Sequence, residues 1–117
     1  MQTPAATPDA SMTAGPGRYA VVAARWHDEI MDRLIAGARE TLTARGAQPA
    51  QIDLLRVPGS FELPLACQRA AESGEYAAVI ALGVVIQGDT PHHDYINMSV
   101  AQGLMHAGQS TGVPVLF

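Results

Sequence analysis

The sequence predicts an α/β domain built on a parallel sheet with helices on both faces. Two observations carry that expectation. Short apolar runs alternate with longer amphipathic stretches from about Tyr19 to Phe117. The most polar and unusual residues, moreover, follow the apolar runs. Alternation of this kind implies strands joined by right-handed helical crossovers, and such sheets place ligands beyond the carboxyl ends of their strands.

The elements follow in order. Tyr19–Ala24 (YAVVAA) has the length and apolarity of a strand. The stretch after it repeats Ile30, Leu34, Ala38 and Leu42 every fourth residue, flanked by Met31 and Ile35, which predicts a helix with one apolar stripe. Asp28 and Glu29 suit its positive N-terminal end, and Arg45-Gly46 its ending. Gln51–Val57 predicts a second strand with a turn at Pro58-Gly59. Phe61–Ser73 predicts a helix, with Pro64 tolerated in its first turn and Gly74 closing it. Ala77–Ile86 (AAVIALGVVI) is a continuous apolar run, the pattern of a strand covered on both faces. A loop over Gln87–His92 leads to a helix from about Asp94 to Gln109, and Val113–Phe117 begins a fourth strand. The expected fold is thus a three-layer αβα domain around a four-stranded parallel sheet.

Composition narrows the function. At 117 residues and 48% hydrophobic, the chain suits one compact domain with a buried core. Its formal charge of -4 argues against a surface built to hold nucleic acid. No apolar run approaches the roughly 18 residues of a membrane span. Residues 1–17 are rich in Pro, Ala, Thr and Gly and lack the basic start and apolar core of a signal peptide. They are expected to form a disordered extension without chemistry, ahead of a domain over 18–117 in a cytoplasmic protein. The single cysteine, Cys67, sits in an apolar stretch and reads as a small core residue.

Residues able to do chemistry follow the predicted strands: Arg25-Trp26-His27, Gly59-Ser60-Phe61-Glu62 and Gly88-Asp89-Thr90-Pro91-His92. Gly88-Asp89-Thr90 opens a helix whose N–H groups favour an anion, although taken alone the segment reads better as a plain turn and helix cap. His92 supplies an imidazole, the usual group for moving a proton beside a developing charge. His93 is expected on the surface or as a cap, because neighbouring helix residues do not share a face. The same geometry speaks against a metal site from His92, His93 and Asp94. Trp26 could pack in a core or stack on a flat heterocycle, and Phe61 and Glu62 carry the same ambiguity. A receiver-type signalling domain would want an acidic pair where Arg25-Trp26-His27 stands.

Taken together, VPGSFELP (57–64), ALGVVIQGDTPHHDY (81–95), ARWH (24–27) and TGVPVLF (111–117) resemble the lumazine synthase family over about 18–117. The resemblance implies a flavodoxin-like fold and a reaction without metal or cofactor. In it, 5-amino-6-ribitylaminouracil condenses with 3,4-dihydroxy-2-butanone 4-phosphate to 6,7-dimethyl-8-ribityllumazine in riboflavin biosynthesis. By position it implies Trp26 stacking on the pyrimidine, with Ser60, Phe61 and Glu62 holding the ribityl chain and ring edge. Val84, Val85 and Ile86 would offer backbone groups to the ring. Asp89, through its N–H, and Thr90 would bind phosphate, and His92 would move protons. Phe117 matches an aromatic lent to a neighbouring subunit, in a homopentamer or a shell of pentamers. The small residues Ala101, Gly103, Ala107 and Gly108 are expected to permit close packing between subunits. His27 stands where the family commonly has asparagine, and Gln87 where it often has arginine. The family pattern continues into a GVLT-like segment, a phosphate-binding arginine and two closing helices. The chain therefore reads as C-terminally incomplete; the alternative is a catalytically impaired assembly or ligand-binding remnant.

Overall fold

The computed structural model describes residues 11–88 and 92–117. The chain runs β1 (Tyr19–Ala24), α1 (Asp28–Ala44), β2 (Ile52–Val57), α2 (Leu63–Glu72), β3 (Ala78–Leu82), α3 (His92–Thr111) and β4 (Val115–Leu116). Short 3-10 turns, Pro49–Gln51 and Ser60–Glu62, precede β2 and α2. The sheet is parallel throughout, in the order β2-β1-β3-β4. This is the expected α/β, flavodoxin-like architecture. In that order the direction of chain travel reverses between β1 and β3, and a crevice opens beyond their carboxyl ends.

Helices α2 and α3 cover one face of the sheet, and α1 covers the other. Ala20, Val22 and Ala24 of β1, Val57 of β2, and Val79 and Ala81 of β3 pack against Leu63, Cys67, Ala70 and Ala71 of α2 and Val100 and Leu104 of α3. On the opposite face Ala23 packs with Met31 and Ile35 of α1, flanked by half-buried Leu54, Leu82 and Val84.

Three expectations need correction. The buried stripe of α1 is Met31 and Ile35, continued by half-buried Ala38 and Leu42, while Ile30 and Leu34 are 43% and 37% exposed. A strict four-residue repeat drifts about 40° per step on a helix of about 3.6 residues per turn. The spacing 31, 35, 38, 42 stays on one face and so meets the sheet. The strand buried on both faces is β1, where every residue is buried; in β3 buried and half-buried residues alternate. β1 is central, whereas β3 has only a two-residue strand beyond it. Finally, β3 stops at Leu82, its last residue paired with β1, so Gly83–Ile86 lie outside the ladder.

The amino-terminal edge of the sheet is closed by polar side chains. Arg18 and Tyr76 both donate to Asp53 Oδ2, the tyrosine at 2.7 Å, and Arg18 lies 6.0 Å from the Tyr76 ring centre. The Tyr76 hydroxyl, and with it Arg18, holds the Asp53 carboxyl below its ordinary range. Burial and the Asp53 carboxylate push the Tyr76 phenol up. The approach to β1 is held as well. Arg45 donates to the Met12 carbonyl at 3.2 Å, the Ala14 amide to the Arg45 carbonyl at 2.8 Å, and Gln51 Nε2 to the Gly17 carbonyl at 2.7 Å. No helix among the described residues is long and apolar enough to cross a membrane.

Candidate active site

Beyond the carboxyl ends of β1, β2 and β3, the chain encloses a cavity of about 480 Å³. The segment after β1 contributes Trp26 and His27, and the turn after β2 contributes Pro58 through Glu62. The segment after β3 adds Val84, Val85 and Ile86, and the first two turns of α3 add His92, Tyr95, Ile96 and Ser99. Eight residues expected from the sequence, Trp26, Ser60, Phe61, Glu62, Val84, Val85, Ile86 and His92, therefore line one space.

Local structure explains the convergence. The Arg25 amide donates to the Val57 carbonyl at 2.9 Å, which keeps β1 and β2 together one residue past the ladder. His27 then adopts the left-handed conformation, φ 66° and ψ 60°, and caps α1. Few side chains other than glycine enter that region, with asparagine, aspartate and histidine over-represented. Trp26, between the strand end and this reversal, remains 70% exposed at the cavity wall.

After β2 the 3-10 turn Ser60–Glu62 places Phe61 outward, 65% exposed, and Ser60 inward, buried. The Ser60 hydroxyl donates to the Val84 carbonyl at 3.5 Å. The Glu62 carboxylate accepts the Gly59 amide at 3.1 Å, which fixes the carboxylate beside the cavity. Large apolar side chains left open to water around a concavity are the usual mark of a ligand site.

Sequence reasoning misses Gly83. A Cβ there would lie 2.5 Å from Ser60 Oγ and 2.9 Å from Leu63 Cδ1. Only hydrogen fits between the exit of β3 and the turn that presents Ser60. The available signal is a glycine interrupting an apolar run, which often marks a close backbone approach. Tyr95, Ile96 and Ser99 are missed as well, although they stand three, four and seven residues after His92 and so share its helix face.

α3 begins at His92, two residues earlier than expected, so both histidines belong to its first turn. His93 is not the surface or capping residue anticipated. Its side chain is half-buried, Nε2 lies 3.0 Å from Asp94 Oδ1, and Nδ1 is buried without a partner among the described residues. Position 93 continues inward the buried line through Val100, Leu104 and Ala107. Three of the four small residues of α3 serve the chain's own packing: a Cβ on Gly103 would come within 2.6 Å of Pro64, Gly108 faces Val113 and Val115, and Ala107 is buried, while Ala101 is exposed. Asp89 and Thr90 lie outside the described residues. Phe117 is exposed and does not line the cavity. Cys67 is a core residue, as expected, and burial pushes its thiol up to about 12.

Comparison with known proteins identifies the family. The family model described as 6,7-dimethyl-8-ribityllumazine synthase matches residues 16–117. A 6,7-dimethyl-8-ribityllumazine synthase from Halorhodospira halophila is 52% identical over 100 residues, which cover 86% of this chain and 64% of that protein. The protein of the same name from Xanthomonas euvesicatoria pv. vesicatoria is 48% identical over 99 residues, 85% of this chain and 64% of the relative. The chain thus spans slightly less than two thirds of the length of the curated relatives it matches. On its motifs, its fold and these matches, the chain belongs to the 6,7-dimethyl-8-ribityllumazine synthase family.

Proposed function

We propose that the protein condenses 5-amino-6-ribitylaminouracil with 3,4-dihydroxy-2-butanone 4-phosphate to give 6,7-dimethyl-8-ribityllumazine, in riboflavin biosynthesis. The observation that carries this reading is the gathering of Trp26, Ser60–Glu62, Val84–Ile86 and His92 around one cavity at the β1/β3 reversal. The 5-amino nitrogen attacks the ketone, and loss of water leaves an imine. Phosphate is eliminated, the ribityl-bearing nitrogen closes on the remaining carbonyl, and a second water departs. No electrons are gained or lost overall, so the protein's tasks are to juxtapose two molecules and to move protons.

Each residue has a part suited to its position. Trp26 stacks on the pyrimidine. Val84, Val85 and Ile86 lie outside the β ladder, which leaves backbone groups for the edge of the ring. Ser60, Phe61 and Glu62 take the ribityl chain and the ring edge. His92 carries protons between nitrogen, carbon and the leaving phosphate. Asp89, by its amide, and Thr90 hold the phosphate, as the family resemblance implies. Juxtaposition supplies much of the acceleration, with His92 adding to it.

The unit that does this is the α/β domain over 18–117, in a cytoplasmic protein that works as a homopentamer or a shell of pentamers. Tyr95, Met98 and Met105 of α3 and Leu65 of α2 leave large apolar side chains exposed, which supports burial between copies. Phe117 then serves a neighbouring copy's site. A monomeric mass by light scattering, in a preparation that turns over substrate, would contradict the assembly.

The experiment for the function is a titration. Trp26 is the sole tryptophan, and the lumazine product stacked on it should quench its emission saturably. Incubation with both substrates should release inorganic phosphate and form the lumazine absorbance together. Binding measured by calorimetry without any change in Trp26 emission would remove Trp26 from the site. Phosphate release without lumazine would overturn the reaction.

A further inference from the structure

The Arg56 guanidinium donates to two successive backbone carbonyls of the neighbouring strand, Nε to Ala23 at 3.3 Å and Nη2 to Ala24 at 3.2 Å. These are the last two residues of β1. Two residues further on stands Trp26, whose own side chain is largely exposed and gains little support from packing. On the β3 side the ladder reaches Ala23, and Ala24 has no partner there. Among the described residues, the backbone leading to Trp26 is therefore held from one flank, by the β2 ladder, by the Arg25 amide bonded to Val57 and Pro58, and by Arg56. Arg56 also walls a second, open concavity with Arg25, Trp26, His27 and Asp28. It thus lies beneath the turn that carries the indole. A rigid planar fork on two carbonyls fixes orientation as well as position, and hydrogen bonds with a charged donor are about twice as strong as neutral ones.

We propose that Arg56 is a positioning residue: by bridging the carbonyls of Ala23 and Ala24 it holds the end of β1, and so sets the orientation of the Trp26 ring for the incoming pyrimidine. It touches no substrate. The inference rests on the reading that Trp26 stacks on that ring.

The test compares the parent chain with Arg56→Ala, Arg56→Gln and Arg56→Lys. Three quantities are read: Trp26 fluorescence anisotropy without ligand, affinity for 6,7-dimethyl-8-ribityllumazine by calorimetry, and the thermal midpoint. Arg56→Ala should lower the anisotropy and weaken lumazine binding about tenfold, the equivalent of about 1.4 kcal/mol. Arg56→Lys, which can still reach a carbonyl, should recover part of both. Parental anisotropy in Arg56→Ala overturns the proposal, even if affinity falls, because a role independent of the indole would then be at work. Should Arg56→Ala fail to fold, Arg56→Gln decides: lower anisotropy supports the clamp and parental anisotropy overturns it. A parent chain that binds no lumazine would defeat the stacking reading alone, since the ligand-free anisotropies still judge the clamp.

Discussion

The two edges of the sheet use their side chains in opposite ways. At the amino-terminal edge Arg18, Asp53 and Tyr76 satisfy one another, and Gln51 closes on the Gly17 carbonyl. At the carboxyl edge the chain leaves Trp26 and Phe61 facing water, bends through a left-handed His27, and crowds Gly83 against Ser60. One edge completes its interactions within the chain; the other holds them open for something else. Changes at the two edges should therefore separate stability from binding.

The largest effect is expected at His92. A positioned proton-transfer group contributes about 10²–10⁴-fold to rate, so His92→Ala should slow single turnover by that order while lumazine affinity stays within a few-fold. A parental rate would take His92 out of the chemistry. Next comes Gly83→Val. Its branched side chain has no room beside Ser60 and Leu63, and overpacking of this kind costs about 1–3 kcal/mol. Urea unfolding should show that loss, and the quenching of Trp26 by lumazine should disappear with it. A variant of parental stability that still binds would show the carboxyl edge to be more yielding than the structure indicates.

The amino-terminal edge should behave differently. Tyr76→Phe removes the hydroxyl that donates to Asp53 and should lower the thermal midpoint by a few degrees, leaving lumazine affinity unchanged. The same cluster gives the stability a pH dependence. The Asp53 carboxyl is held below its ordinary value of 3.8, chiefly by Tyr76, so its contribution is complete above that value and is lost as acid protonates it in the folded protein. The Tyr76 phenol is raised above its ordinary 10.0, so stability declines again as the pH climbs beyond 10.0. Urea midpoints across pH should fall at both ends, and both slopes should flatten in Tyr76→Phe. Unchanged slopes would locate the titration elsewhere. The smallest effect is His27→Asn, expected to stabilise by about 0.5 kcal/mol because asparagine enters the left-handed region more readily. A loss of stability would mean that the imidazole itself contributes contacts.

Much of this is legible in the sequence because it depends on local pattern. Strand β1 is set by YAVVAA with its bounds intact, and three loops following three strands point to one edge on pattern alone. The site residues after β1, β2 and β3 share a cavity for the same topological reason. What stays hidden depends on contacts between distant segments. An apolar run cannot show where its ladder partner stops, so Val84–Ile86 read as strand although they leave the sheet. Gly83 matters only because Ser60 lies against it, and Gly103 only because Pro64 does. Arg56 has the pattern of an ordinary strand residue, and its part emerges only from the guanidinium resting on the carbonyls of β1. His93 departs from its expected place because a helix that starts two residues earlier turns that position inward.

Cys67 supplies a clock. The thiol is fully buried, and with its pKa pushed up to about 12 it is protonated and unreactive while α2 stays in place. A thiol reagent can reach it only when the α2–α3 layer parts from the sheet, so the labelling rate at this one sulfur reports how often that layer opens. α2 follows directly on the Ser60–Glu62 turn, and α3 carries His92 at its first residue. A molecule seated in the cavity also touches Trp26 and Val84–Ile86 beyond the strand ends, and therefore ties that helical layer to the sheet. Labelling should slow in proportion to one plus the ratio of free ligand to its Kd, so a single cysteine buried away from the cavity would measure occupancy without any optical change in the ligand.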